Sequence, residues 1–127
     1  MKFDNKNKPK GVTRLFLALG HSLRAFKWLA KNEAAFRQEL ILLLATIIAL
    51  PLLSLSFSDS VVILCATLFV MFAEIVNTAI EAVVDRIGLE LHDLSGLAKD
   101  LGSACVTIAI VILGLVWAAV LYNYFFS

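Results

Sequence analysis

Apolar residues collect into three long runs, at 40–55, 61–84 and 104–126, of 16, 24 and 23 residues. A helix needs about 20 apolar residues to cross the hydrocarbon layer of a bilayer, so each run predicts one transmembrane helix. The first run is short, and Pro51 interrupts it near its far end. Phe36 and Phe57 flank it and extend it, and a proline is tolerated inside a membrane helix, so the predicted spans are about 36–55, 61–84 and 104–126. Ahead of them the stretch LFLALGHSLRAFKWLAK, ending at Lys31, mixes apolar residues with His21, Arg24 and Lys27. It predicts an amphipathic helix over 14–31 lying on the membrane surface, with its bases near lipid phosphates and Trp28 at headgroup depth. A plain anchoring helix and one that also builds part of a site fit this pattern equally. Residues 1–10 are polar and basic and are predicted to be disordered; no cleavable signal peptide is expected, because neither an apolar core nor a small-residue cleavage site follows.

Composition supports this all-α membrane reading. Hydrophobic residues make up 61% of the 127 and charged residues 17%, with mean hydropathy +0.90. Soluble domains average about 45–50% and about 25%, so a soluble globular fold is disfavoured. With 6 glycines, 2 prolines and 2 cysteines, collagen-like, disordered and disulfide-scaffold chains are excluded. Cys65 and Cys105 lie toward opposite ends of their spans and are expected to be packing residues, neither bonded nor metal-ligating. Trp117, Tyr122 and Tyr124 are expected to form an interfacial belt.

The net charge of +1 says little, but its distribution says more. Nine of the eleven Lys and Arg precede the first span, and the other two, Arg86 and Lys99, lie between the second and third. The positive-inside bias then puts the N-terminus and the 85–103 segment in the cytoplasm and the C-terminus outside.

The acids need a separate explanation. Glu74, Asn77, Glu81 and Asp85 fall within an arc of about 80° on one face of the second span, and Gly88 continues it. A carboxylate at mid-membrane costs ~2.5–3.5 kcal/mol, which makes such a stripe a functional candidate. Interhelical hydrogen bonding is the bland alternative, but Ser, Thr or Asn would supply it at lower cost. A partly desolvated carboxylate makes an effective general base, and a second one near water and phosphate suits Mg2+, which binds through one or two carboxylates plus substrate phosphates. A proton relay or cation path fits the stripe as well. Glu33 alone reads as a surface partner for Arg37 at i+4. After the stripe, Asp93 or Ser95 is expected to cap the next helix, while Lys99 and Ser103 share a helical face; Lys99 either snorkels or offers a point charge to phosphate. No phosphate loop, dinucleotide fingerprint, HExxH or GxSxG occurs.

Three runs taken together, NEAAFRQE at 32–39, EIVNTAIEAVVDRIG at 74–88 and LSGLAKD at 94–100, resemble the bacterial integral-membrane diacylglycerol kinase family, from about Gly11 to the end of the third span. The resemblance implies three spans with an N-terminal surface helix, a homotrimer with sites between subunits, and location in the bacterial inner membrane. It implies transfer of the γ-phosphate of MgATP to the hydroxyl of diacylglycerol, giving phosphatidic acid, with no nucleic-acid partner. By the same resemblance Glu74 is the catalytic base, and Glu33 and Glu81 are metal-associated carboxylates. Arg14, Asn77, Asp85, Glu90, His92, Lys99 and Asp100 line the ATP and phosphate site. Arg14, Ser22, Glu74, Lys99 and Ser103 meet the lipid substrate. The family reading replaces the surface-pair reading of Glu33. Three departures, Leu17, Leu23 and Leu97, stand where the family carries a basic residue, a Trp and an Arg; they bear on surface-helix seating and lipid preference. A related branch phosphorylates undecaprenol on the same scaffold, and 94–96 is closer to the diacylglycerol branch.

Overall fold

A computed structural model describes residues 9–127, and all of their regular structure is helical. The predicted basic tail 1–10 thus lies, but for its last two residues, outside the described residues. The chain divides into two compact units, one ending at Ala34 and one spanning Ala35–Ser127.

In the first unit α1 (Gly11–Asn32) carries Val12, Leu15, Phe16, Leu19, Leu23 and Phe26 at three- and four-residue spacing, within about 100° of arc. These side chains are exposed, whereas Arg14, His21 and Arg24 take the other side, where Arg24 donates to His21 Nδ1. The helix is therefore amphipathic, as the sequence predicts. Two bonds close its last turn: Asn32 Nδ2 donates to the Trp28 carbonyl at 2.8 Å, and the Glu33 N–H reaches the Leu29 carbonyl at 2.8 Å. Glu33 itself is extended, at φ −112° and ψ 112°. The helix breaks at this residue although neither glycine nor proline marks the spot.

The second unit contains α2 (Ala34–Leu52) but for its first residue, α3 (Phe57–Ile87) and α4 (Asp93–Phe126), each long and apolar enough to cross a membrane. α2 continues through Pro51 by one residue; Ser54, at φ 53°, then turns the chain. Ser56 starts α3 by accepting the Asp59 N–H at 3.1 Å. At 1.5 Å per residue the 31 residues of α3 and 34 of α4 extend ~46 and ~51 Å, beyond a hydrocarbon layer of ~30 Å. The excess is the polar end of the stripe on α3 and the turns 93–103 on α4. α4 is capped by His92, whose Nδ1 accepts the Leu94 N–H at 3.1 Å, rather than by Asp93 or Ser95. The imidazole reaches back over its own first turn, a role that sequence statistics assign more readily to Asp or Ser.

α3 and α4 form an antiparallel hairpin held by small residues. Val70 and Ala73 pack against Ala109, which is fully buried. Without a hydrophobic driving force in lipid, close backbone approach and van der Waals contact do this work. At the other end Leu50 of α2, Ile63 of α3 and Val120 of α4 form a second cluster, with Trp117 packed against it. Trp117 is thus partly buried by packing, while Tyr122 and Tyr124 remain exposed and meet Phe126 in a tilted pair and Phe125 edge to face. The buried hydroxyls of Thr46 and Thr67 bond the carbonyls of Leu42 and Ile63 in their own helices, so no polar group is stranded there. Cys65 and Cys105 are free thiols, and both are exposed on the chain rather than packed within it. Only 11% of the apolar window of α4 is buried inside the chain, which leaves a large apolar surface for lipid or other chains.

Candidate active site

The second unit brings most of the predicted site residues to one end of the α3–α4 hairpin. Glu74, Asn77 and Glu81 lie half-buried along α3, and Asp85 is exposed one turn further on. Asn77 Nδ2 donates to Glu81 Oε1 at 3.4 Å. Lys99 of α4 crosses to this face, its Nζ 2.8 Å from Asp85 Oδ1, with both side chains about half exposed. Lys99 precedes the apolar stretch 104–126. Its bond to Asp85 holds the ammonium above the ordinary lysine pKa, against the opposing effect of desolvation and with the charges of Asp85 and Glu81 adding to the rise.

The link between α3 and α4 completes this end. A recess of about 300 Å³ is lined by Val84, Ile87, Gly88, Glu90, His92, Leu94, Ser95 and Ala98. A second, of about 160 Å³, shares several of these walls and reaches Asp85 and Lys99. Gly88 has extended backbone, so its lack of a side chain serves space rather than torsion: a Cβ there would run into the Glu90 carboxylate. Of the remaining candidates, Asp100 and Ser103 are exposed on α4. Arg14, Ser22 and Glu33 belong to the first unit: Arg14 is exposed, Ser22 Oγ donates to the Ala18 carbonyl at 3.0 Å, and Glu33 is half-buried at the helix break.

Two residues at this site were not singled out from the sequence. Glu39 of α2 has Oε2 enclosed without a hydrogen-bond partner and lies within electrostatic reach of Glu74. The signal was available, since Glu39 is an acid set directly against the first apolar run, yet only its nearness to Glu74 in the fold gives it meaning. Gly102 of α4, buried against Asn77, carried no signal at all.

The sequence model of the family described as prokaryotic diacylglycerol kinase matches residues 20–121. The chain belongs to this family. It is 43% identical to the diacylglycerol kinase of Escherichia coli strain K12 over 119 residues, covering 94% of this chain and 98% of that one. The Haemophilus influenzae diacylglycerol kinase is 43% identical over 115 residues, covering 91% and 98%. The Helicobacter pylori diacylglycerol kinase is 32% identical over 120 residues, covering 94% of each. With three apolar helices and these bacterial relatives, the chain is an integral membrane protein of the diacylglycerol kinase family, as the sequence motifs implied.

The donor set suits a magnesium ion carried by ATP. Among the described residues no group of three or more His, Cys, Asp or Glu gathers to hold an ion unaided. Mg2+ needs only one or two hard carboxylate oxygens when phosphates supply the rest, and Glu81, within electrostatic reach of Lys99, is a carboxylate of that kind.

Proposed function

We propose that this chain is a membrane lipid kinase that transfers the γ-phosphate of MgATP to the free hydroxyl of diacylglycerol, giving phosphatidic acid and ADP. The observation that carries the reading is the half-buried stripe Glu74, Asn77 and Glu81, which runs down α3 out of the apolar layer into the Asp85–Lys99 pair. One helix thereby spans from lipid depth to water, which the two substrates require.

In this mechanism Glu74 is the general base. The lipid hydroxyl oxygen attacks the γ-phosphorus, its proton passes to the Glu74 carboxylate, and the bond from the γ-phosphorus to the bridging oxygen breaks, leaving ADP. Phosphoryl transfer asks little covalent chemistry of a protein beyond positioning and neutralising charge. Lys99 supplies a point charge toward phosphate, and Asp85 orients it. Glu33 and Glu81 would hold the metal of MgATP, which would supply charge neutralisation at the phosphates. Asn77, Glu90, His92, Asp100 and Arg14 line the nucleotide side, and Ser22 and Ser103 meet the lipid. We place the N-terminus in the cytoplasm and the C-terminus in the periplasm of a bacterial inner membrane, from the bias of Lys and Arg. The exposed apolar flank of α4 leaves room for the homotrimer, with sites shared between subunits, that the family resemblance implies.

The test is an acceptor comparison. Purified protein in detergent with γ-labelled ATP and Mg2+ is expected to label diacylglycerol. Label in undecaprenol instead would assign the related branch. No label in either lipid, together with cation flux in nucleotide-free liposomes, would replace the kinase by a conducting oligomer.

A further inference from the structure

Asn77 poses a problem that its proposed nucleotide-side role does not solve. Its Oδ1 is enclosed and accepts no hydrogen bond, although its Nδ2 donates to Glu81. A buried carbonyl oxygen without a donor is rare and calls for a reason. Facing it across the α3–α4 contact is Gly102, buried within α4. Glycine inside a helix is disfavoured relative to alanine, and Gly102 lies outside the left-handed region, so conformational freedom does not account for it. Space does. A Cβ at 102 would overlap Asn77 Oδ1, while its next neighbours, Asn77 Cγ at 3.3 Å and Ile80 Cδ1 at 3.5 Å, are much closer to ordinary contact. The space that a side chain at 102 would fill is the space the Asn77 Oδ1 occupies.

We propose that Gly102 is a positioning residue for Glu81, acting through Asn77: the missing side chain at 102 is the seat of the Asn77 carboxamide, and that seat holds Nδ2 against the Glu81 carboxylate. The inference rests on the reading of Asn77 and Glu81 as nucleotide-side residues. The conflict raised by a methyl at 102 is with the end of one short side chain, not with the α3 backbone. Asn77 therefore swings away while the helices stay paired, so the damage falls on the site rather than on the fold.

The experiment compares wild type, Gly102→Ala, Asn77→Ala and the double variant. Melting temperature and particle size in detergent report the fold, and equilibrium dialysis reports MgADP affinity. Steady-state kinetics report KM for MgATP and for diacylglycerol separately. Gly102→Ala is expected to keep wild-type melting and size while MgADP affinity falls, and KM for MgATP rises, on the order of tenfold, as for loss of one hydrogen bond to a charged group. KM for diacylglycerol stays unchanged. Asn77→Ala lowers nucleotide affinity at least as far, and the double variant is no worse than Asn77→Ala alone. Unchanged nucleotide affinity in Gly102→Ala, or a double variant that loses the product of the two factors, overturns the inference. Should Gly102→Ala fail to fold, the double variant decides: recovery of folding on removal of the carboxamide supports the seat, and continued failure overturns it. A wild type that neither turns over nor binds MgADP defeats the functional reading itself, whereas an active wild type with an indifferent Gly102→Ala defeats only the present inference.

Discussion

Replacing Glu74 by Gln should move activity and stability in different directions, and both magnitudes follow from where Glu74 sits. The uncharged part of α3 on the outer side of Glu74, residues 61–73, is 13 residues long and covers ~20 Å of a ~30 Å layer. Glu74 must then lie ~10 Å inside the opposite boundary. A carboxylate at the midplane costs ~2.5–3.5 kcal/mol; part-way out and half-buried against the hairpin, ~1–2 kcal/mol is the fitting share. Gln keeps the shape and removes the charge, so the variant should be as stable as wild type or more stable by up to that amount. A positioned general base contributes ~10²–10⁴ in rate, equal to ~2.7–5.5 kcal/mol of barrier, so turnover should fall by at least ~100-fold. The assay pairs thermal melting in detergent with label transfer at saturating MgATP and diacylglycerol. Turnover within threefold of wild type would refute the base assignment. Loss of activity that tracks loss of folded protein would refute the claim that the carboxylate serves chemistry rather than packing.

Other consequences follow from the same geometry. Lys99→Met should leave the melting temperature unchanged, because its pair with Asp85 is half exposed and screened, yet raise KM for MgATP by roughly 10–100-fold through loss of a charged contact to phosphate. Steady-state kinetics at two ionic strengths would check this, and an equal effect on both substrates would count against it. Ser56→Ala removes the α3 cap and should destabilise by ~1 kcal/mol in a reversible denaturant titration, with kcat and both KM values unchanged.

The architecture was legible because the bilayer restricts the menu. A chain in lipid must satisfy its backbone internally, so three apolar runs are three helices and need no knowledge of their partners. Helix ends were less legible. The turns 57–60, 85–87 and 93–103 stand outside the apolar runs, where no hydrophobic pattern tracks the backbone. The break at Glu33 has no glycine or proline to announce it, and the His92 cap uses a ring nitrogen in place of the usual short side chain. At the site, the stripe of Glu74, Asn77, Glu81 and Asp85 was readable because a single helix carries it. The Asp85–Lys99 pair, the burial of Glu39 beside Glu74 and the seat at Gly102 depend on which turn of one helix meets which turn of another. Periodicity along one segment holds no such information. Trp117 illustrates the same limit: its place near the end of a span suits an interface, but its packing against Leu50, Ile63 and Val120 is not written in that position.

The central claim is that lipid hydroxyl and ATP meet at the cytoplasmic end of α3, and sealed vesicles of opposite orientation test it most directly. With γ-labelled ATP added outside, inverted vesicles carrying the protein and diacylglycerol should form labelled phosphatidic acid, and right-side-out vesicles should not. Label confined to right-side-out vesicles, or absent from both, would contradict the account.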